Sequence, residues 1–283
     1  MKYYPIGTVK ILEFYEGEFE SCFILFHPFL KIKNEGDNET KRTSSNKVDS
    51  IPNEFEEMFK GIKLPGNAMI YMSNPNYPKE NEIIESGIGV SWKEVIELSN
   101  KFTTPEDIQK ALKTSIGAYR KVFRRNDLHE HLQEFIKKHK LWSPKEDIIN
   151  TLTKKKIFQI FRLLNLNEII NDDFKEEKEP INIKEMSLPD FCQTMSSSYI
   201  YSSEKEVMIS QYMDTFFCLL LTKKKETMVK ILENFELEGI LCDEEFSLPW
   251  EFENEEFERL VKEGKERKDK RKSSSWLSKI FRK

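Results

Sequence analysis

The stretch Glu206-Val207-Met208-Ile209-Ser210-Gln211-Tyr212-Met213-Asp214-Thr215-Phe216-Phe217-Cys218-Leu219-Leu220-Leu221 decides the fold. Residues 206–213 and 215–221 are short runs of branched, aromatic and other apolar side chains interrupted by one acidic connection, the pattern of paired strands. Tyr199-Ile200-Tyr201 upstream reads the same way, and Ile240-Leu241-Cys242 gives a last strand. Between them residues 223–235 place Met228, Ile231, Leu232 and Phe235 on one helical face, stopped by Glu238-Gly239. At the other end of the chain, residues 7–15 and 20–31 are rich in Ile, Leu, Phe and Val and are expected as strands.

The middle is helical. Ser91 and Glu94 form a capping box for a helix over Trp92–Leu98. Thr104-Pro105-Glu106-Asp107 supplies an N-cap, a proline at the first helical position and acids at the positive end of the dipole, so a helix is predicted over 105–124. Asn126 and Asp127 open a helix over 128–140 with Leu128, Leu132, Phe135 and Ile136 on one face, and Ser143-Pro144-Lys145-Glu146 repeats the start signals ahead of 148–164. The fold class is therefore α+β, with a mixed or antiparallel sheet built from N- and C-terminal strands around a central helical segment, and no internal repeat.

Residues 1–250 are expected to form a single α+β domain, followed by a charged tail over 251–283. Residues 34–50 hold no large hydrophobe except Val48 and read as a mobile polar surface loop. Residues 52–59 read as a short helix and 68–72 as a short strand, ended by Asn74-Pro75-Asn76-Tyr77-Pro78, where two prolines enforce extended or turn backbone. Residues 171–180 read as an acidic turn region.

Composition excludes several classes. With 38% hydrophobic and 12% aromatic residues in 283, the chain can bury a sizeable core, which excludes wholesale disorder. Its longest apolar stretches fall short of the roughly 18 uncharged residues of a membrane-spanning helix. The N-terminus meets Glu13 and Glu16 before any apolar run, unlike a secretory signal, so the chain is expected in the cytoplasm. Cys22, Cys192, Cys218 and Cys242 lie far apart without a Cys-x-x-Cys pair and read as core thiols. From Arg259 to Lys283 eleven Lys and Arg face three acids, a net of +8, so the formal total of −4 leaves −12 on residues 1–258. An acidic body is not expected to grip nucleic acid, because phosphate binding rests on Lys and Arg.

Five segments, taken in order, resemble one bacterial family. They are Ile24-Leu25-Phe26-His27-Pro28-Phe29, Val90-Ser91-Trp92-Lys93-Glu94-Val95, Ala111-Leu112-Lys113-Thr114-Ser115-Ile116-Gly117-Ala118, Met213-Asp214-Thr215-Phe216-Phe217 and Leu237-Glu238-Gly239-Ile240-Leu241-Cys242. The chain is similar, over residues 22–250, to an uncharacterised family of Gram-positive, spore-forming bacteria catalogued as domain of unknown function 2711. In that family the segment around Asp214 tends to read Trp-Asp-Ser-His. Here Met213 and Phe217 stand where the Trp and His would be, so histidine chemistry at that place is not implied for this chain. The resemblance implies a domain boundary and no activity.

Few residues invite chemistry. His129-Glu130-His131 looks like a metal pair, but residues two apart on a helix point about 200° away from each other and cannot close on one ion, so a solvated helix face is expected. His139 in Lys137-Lys138-His139-Lys140 suits the negative end of a helix dipole. Thr114-Ser115-Ile116-Gly117-Ala118 offers small residues for close helix packing, with hydroxyls equally able to bind a ligand. His27 at a strand end is a candidate base, and Asp190 and Asp214, acids among apolar neighbours, are candidate acid or base groups if they converge with it in a pocket. The bland alternatives are a structural His27, an Asp190 that helps begin a short helix after Leu188-Pro189, and an Asp214 in a strand connection. No Walker loop, Gly-x-Gly-x-x-Gly, Gly-x-Ser-x-Gly or His-Glu-x-x-His occurs, and no cofactor or metal is expected.

The tail carries the strongest positive signal. Lys270, Arg271 and Lys272 precede Trp276, Leu277, Ile280 and Phe281, which fall on one helical face, with Lys279, Arg282 and Lys283 beside or opposite them. A basic stretch with an aromatic stripe suits an interfacial helix, at roughly 1 kcal/mol per Lys or Arg near an anionic leaflet. The expected function is a non-enzymatic cytoplasmic binding or regulatory protein that meets a protein partner and touches the inner membrane face through this tail. The alternatives are a carboxylate-dependent hydrolase, or an immunity-type protein whose acidic body neutralises a basic toxin.

Overall fold

The computed structural model describes Pro5 and residues 9–33, 76–116, 123–172, 179–196, 198–211 and 214–247. The first elements are α1 (Ile11–Phe14), β1 (Ser21–Phe26), β2 (Phe29–Ile32), α2 (Glu80–Ser86) and β3 (Gly87–Val90). The central helices are α3 (Trp92–Leu98), α4 (Pro105–Thr114), α5 (Asn126–His139) and α6 (Thr151–Leu163). Then come β4 (Glu168–Asp172), β5 (Ile181–Asn182), α7 (Leu188–Thr194), β6 (Tyr199–Ser202), β7 (Val207–Gln211), β8 (Phe217–Thr222), α8 (Lys225–Asn234) and β9 (Gly239–Leu241).

Seven strands form one sheet in the order β5-β4-β6-β7-β8-β1-β9, and every neighbouring pair is antiparallel. Its central strands β6, β7 and β8 are buried at every residue and mostly apolar because both faces are covered. Along β8, Phe217, Leu219 and Leu221 join one core cluster with Trp92, Ile108 and Leu132, while Cys218 and Leu220 join another with Ile157, Phe161 and Ile231. Strand alternation thus sends odd and even residues to opposite helical layers, α1 and α3–α5 on one face and α6–α8 on the other. The edge is closed tightly at β9, where a Cβ on Gly239 would lie 1.8 Å from the backbone oxygen of Ile24, so only glycine fits.

A second, two-stranded sheet joins β2 to β3 beside the main one. It grows from the break at His27-Pro28, where the chain leaves the main sheet. Trp142 pairs with the far side of β2 through Leu30, and Leu30, Ile32, Ile83 and Trp142 form a small core there. Lys154 ties this corner together, with its ammonium 2.9 Å from Glu80 and 2.7 Å from the Cys192 carbonyl.

The α+β expectation holds, with the sheet antiparallel rather than mixed, and Trp92–Leu98 is a helix with the full capping box at Ser91 and Glu94. Other boundaries move for physical reasons. Residues 7–15 were expected as strand, yet 11–14 form α1, whose Ile11 and Tyr15 are buried in the larger core. Helix α4 stops at Thr114 rather than 124, because the hydroxyls of Thr114 and Ser115 turn back onto the carbonyls of Lys110 and Leu112 and Thr114 Oγ1 takes the Arg125 N–H. Helix α6 starts at Thr151 rather than 148, since Asp147 takes a left-handed φ of 57° and Asn150 Oδ1 accepts the Lys145 N–H. Asn171 and Asp172, expected at the start of an acidic turn region, are instead the last two residues of β4. The four cysteines are free and buried, as core thiols should be. The loop expected at 34–50, the elements at 52–59 and 68–72, and the tail at 251–283 lie outside the described residues.

Candidate functional site

Proline at 28 has no N–H and holds His27 in extended backbone, so β1 ends there and His27 turns inward. The His27 N–H donates to Phe216 O at 3.0 Å, and its carbonyl accepts the Trp92 indole N–H at 2.8 Å. The Trp92 ring stacks on Phe26 with centroids 4.4 Å apart. The imidazole is fully buried, with Nδ1 2.9 Å from Thr153 Oγ1 and Nε2 2.9 Å from Gln211 Oε1. Gln211 Nε2 in turn donates to Thr215 O at 3.4 Å, which sets its amide oxygen towards the histidine. Nε2 therefore carries the proton, and Nδ1 accepts from the Thr153 hydroxyl. Burial lowers the imidazole pKa to about 4, against a smaller raising effect of Gln211.

This arrangement gives His27 no free ring nitrogen for a substrate. Asp190 sits in the first turn of α7, where its N–H donates to the Ser187 hydroxyl and its carboxylate accepts from it, so it begins a helix. Asp214 lies in the β7–β8 connection beside Thr215, and so stands at the outer end of the chain of hydrogen bonds from His27 through Gln211.

Asp214 meets two acids absent from the sequence reading. Asp214, with φ of 56°, donates its N–H to Asp147 Oδ1, while the Asp147 N–H donates to Thr215 O at 3.3 Å. Carboxylate oxygens of Glu146, Asp147 and Asp214 lie within 4.8 Å of one another, the one trio among the described residues close enough to share a cation. Burial, and then repulsion from Asp147 and Asp214, pushes Glu146 up to about 7, and burial raises Asp147 as well. The trio is not visible in the sequence, because Asp214 is far along the chain from Glu146 and Asp147.

Beside the His27 corner opens a cleft of about 850 Å³ between β3, the start of α3, α6 and the α8–β9 connection. Its floor is apolar, with Pro28, Leu152 and Leu237, and Thr153 presents the far side of the His27 contact. The walls are charged: Lys93, Glu94 and Glu97 on α3, Lys155 and Lys156 on α6, and Glu236 and Glu238 opposite. Most are spoken for. Glu238 accepts the backbone N–H groups of Trp92 at 2.7 Å and Lys93 at 2.6 Å, Glu94 caps Ser91, and Lys93 reaches Glu97 at 3.8 Å. Burial raises the Glu238 pKa in spite of these N–H groups. Lys155 and Lys156 make no hydrogen bond or ion pair with a described residue.

The remaining histidines have partners of their own. His129 Nδ1 donates to Ala111 O at 3.0 Å and His131 Nε2 meets Ser99 Oγ at 2.9 Å. They join α5 to α4 and to the end of α3 while staying partly exposed, and Glu130 between them faces solvent. His139 stacks on Phe135 at 4.2 Å, and burial followed by Lys138 and Lys31 lowers its pKa, against the cationic helix end expected from the sequence. Lys270, Arg271, Lys272, Trp276, Leu277, Lys279, Ile280, Phe281, Arg282 and Lys283 lie outside the described residues. Among the described residues no helix is long and apolar enough to cross a membrane.

The sequence signals for the missed residues were present. Gln211 is polar inside an apolar strand, and Glu238 sits before a glycine that closes the sheet edge. Neither can be paired with His27 or α3 without the fold, because the partners are 184 and 146 residues away.

A family model described as "Protein of unknown function (DUF2711)" matches residues 7–252. The uncharacterized protein YwbB of Bacillus subtilis (strain 168) is 27% identical over 243 residues, covering 85% of this chain and 94% of that protein. No solved structure matches. Four of the five stretches that carry the resemblance meet at the cleft end of the sheet: His27 touches Trp92 and Phe216, and Glu238 joins the N-terminus of α3.

Proposed function

The chain belongs to the family of proteins of unknown function DUF2711, and from that premise we propose that it is a non-enzymatic binding protein whose working surface is the cleft beside His27. The observation that carries this reading is the cleft itself: an apolar floor under charged walls, with the Lys155 and Lys156 side chains in no hydrogen bond or ion pair among the described residues. Such a surface suits a polypeptide partner with acidic side chains and some apolar ones. A hydrolase reading finds less support, since the imidazole behind the floor is neutral and bonded at both nitrogens. The Lys270–Lys283 stripe adds, from its sequence, attachment to an anionic membrane surface.

The test uses the full chain with a photo-reactive phenylalanine analogue in place of Gln159, an exposed residue on the cleft wall, and at Val229, exposed on α8, as a control. The expected result is an adduct formed from Gln159 alone, whose partner, once purified, loses binding to Lys155→Glu/Lys156→Glu. Adducts equal at both positions, or binding unchanged by the charge reversal, would overturn the proposal.

A further inference from the structure

The occupant of the cleft can be read from the hydrogen-bond parity of the small sheet. Leu30 of β2 gives both its backbone groups to Trp142, with N to O distances of 2.9 and 2.7 Å. In an antiparallel ladder the N–H and C=O of one residue point the same way, and residues alternate in direction. The Leu30–Gly89 pair is therefore a non-hydrogen-bonded one, and the Gly89 N–H and C=O point away from β2. Among the described residues β3 pairs with β2 alone, and no described strand takes this other edge. The same parity puts the Ser91 N–H on that edge, where it donates to Glu94 Oε2 at 2.7 Å; Glu94 lines the cleft, as do Gly87, Ile88 and Gly89. The open edge of β3 thus faces the cleft.

Among the described residues nothing requires a glycine at 89. Gly87 is forced, because a Cβ there would lie 2.4 Å from Ile83 O. At Gly89 a Cβ would meet nothing closer than Pro28 Cβ at 3.4 Å, an ordinary contact, and its φ is not positive. A bare backbone at that point keeps the edge open to approach. The register is bounded too, since the Gly87 N–H is taken by Ile83 O and the Ser91 N–H by Glu94.

We infer that an extended acidic peptide segment adds to β3 as a further strand, centred on Gly89, with its carboxylates on Lys155 and Lys156. This rests on the cleft reading above and specifies its occupant. Gly89 donates one hydrogen bond and accepts one, and the Gly87 carbonyl accepts a third. Side chains of the segment on the Gly89 face meet Leu152 and, one turn along the same face of α6, Lys155 and Lys156, while the alternate ones point to the opposite face of the strand. Lys155 and Lys156 favour carboxylates on the side chains that meet α6, whereas Glu94, Glu97, Glu236 and Glu238 on the other walls disfavour them elsewhere along the segment.

The probe is the peptide acetyl-Val-Glu-Val-Glu-Val-Glu-Val-amide, titrated into the ¹⁵N-labelled full chain, beside the same peptide N-methylated at alternate residues. The expected result is a downfield shift and slowed solvent exchange of the Gly89 amide proton, and roughly tenfold weaker binding on N-methylation, the equivalent of about 1.4 kcal/mol. Lys155→Glu/Lys156→Glu should weaken binding several-fold and flatten its salt dependence. Equal binding of both peptides, still weakened by the charge reversal, overturns strand addition and leaves the cleft reading standing. A Gly89 amide already protected in the peptide-free protein overturns it as well, by showing the edge occupied. Absence of peptide binding into the millimolar range overturns the inference, while the adduct from Gln159 judges the cleft reading separately.

Discussion

The imidazole of His27 and the side-chain amide of Gln211 lie 2.9 Å apart, both almost wholly shielded from solvent; the bond fixes which ring nitrogen carries the proton, and burial keeps the ring neutral. His27 joins β1, β7 and α6 by polar contacts inside an otherwise apolar junction. A buried polar group costs little when it is hydrogen-bonded, and both ring nitrogens of His27 have partners here.

Acid should therefore weaken the fold through His27. The folded pKa of about 4 lies below the ordinary 6.5, so between those values the unfolded chain binds a proton that the folded one refuses. Stability from this group is fully present above pH 6.5 and is lost as pH falls toward 4, on the order of 2 kcal/mol by pH 5. Urea unfolding of the wild type between pH 7.5 and 5 should show that loss, and His27→Gln should show a flatter profile. An imidazole resonance titrating near 6.5 in the folded protein would sink the argument.

Glu146 acts in the opposite sense. Its folded pKa of about 7 exceeds the ordinary carboxylate value of 4.5, so the folded chain holds a proton longer than the unfolded one. Stability from this group is full below pH 4.5 and declines as pH rises to 7, then stays level. With half of the side chain in water, solvent screening reduces the effect to on the order of 1 kcal/mol. Glu146→Gln should remove the decline, so that the variant gains on the wild type between pH 5 and 8 in thermal melts. An unchanged difference across that range counts against the like-charge trio.

Much of this architecture was legible from local chemistry, and the site was not. Ser91 and Glu94 declare the start of α3 because both partners lie within one turn, and the apolar runs of β7 and β8 declare strands buried on both faces. The failures share a cause, which is tertiary override of local signals. Residues 143–146 carry good helix-start chemistry, but Asp147 is committed to Asp214 and Thr215, which delays α6 to Thr151. The apolar residues of α1 match a strand as well as a single helical turn, and only the core they fill distinguishes the two. His27 was visible as a strand-end histidine, whereas Thr153 and Gln211, which decide what it can do, come from elements far along the chain.

Glu238 serves α3 as a cap supplied from outside the helix. Its carboxylate accepts two backbone N–H groups at 2.6 and 2.7 Å at the positive end of the dipole, beside the capping box of Ser91 and Glu94. Glu238→Ala should cost about 1–2 kcal/mol in chemical unfolding. Amide exchange should rise selectively at Trp92 and Lys93. Loss of stability without faster exchange at those two amides would assign the effect to packing of the α8–β9 turn instead.

Gly239→Ala should be more damaging than either charge change. The added Cβ would meet backbone at 1.8 Å and the Phe23 ring at 2.6 Å, and neither can yield without moving β9 off β1. A loss of about 3 kcal/mol or more is expected, in the range of severe overpacking. A melting temperature within a degree or two of the wild type would show that β9 can pair with β1 in another register.

The tail prediction rests on sequence and is independent of the cleft. Trp276, Leu277, Ile280 and Phe281 are spaced i, i+1, i+4 and i+5, so a helix would place them on one face among Lys279, Arg282 and Lys283, downstream of Lys270-Arg271-Lys272. Burying the aromatic side adds to the electrostatic attraction of an anionic leaflet, which a Debye length of about 8 Å limits at physiological salt. The stripe is short, so sedimentation with anionic vesicles should be reversible, strong at low salt and weak at 150 mM. A chain ending at Trp250 should remain in the supernatant. Trp276→Ser/Phe281→Ser, which keeps every charge, separates burial from attraction: sedimentation equal to the wild type would leave the tail as a simple polycation, and its loss assigns the attachment to the aromatic face.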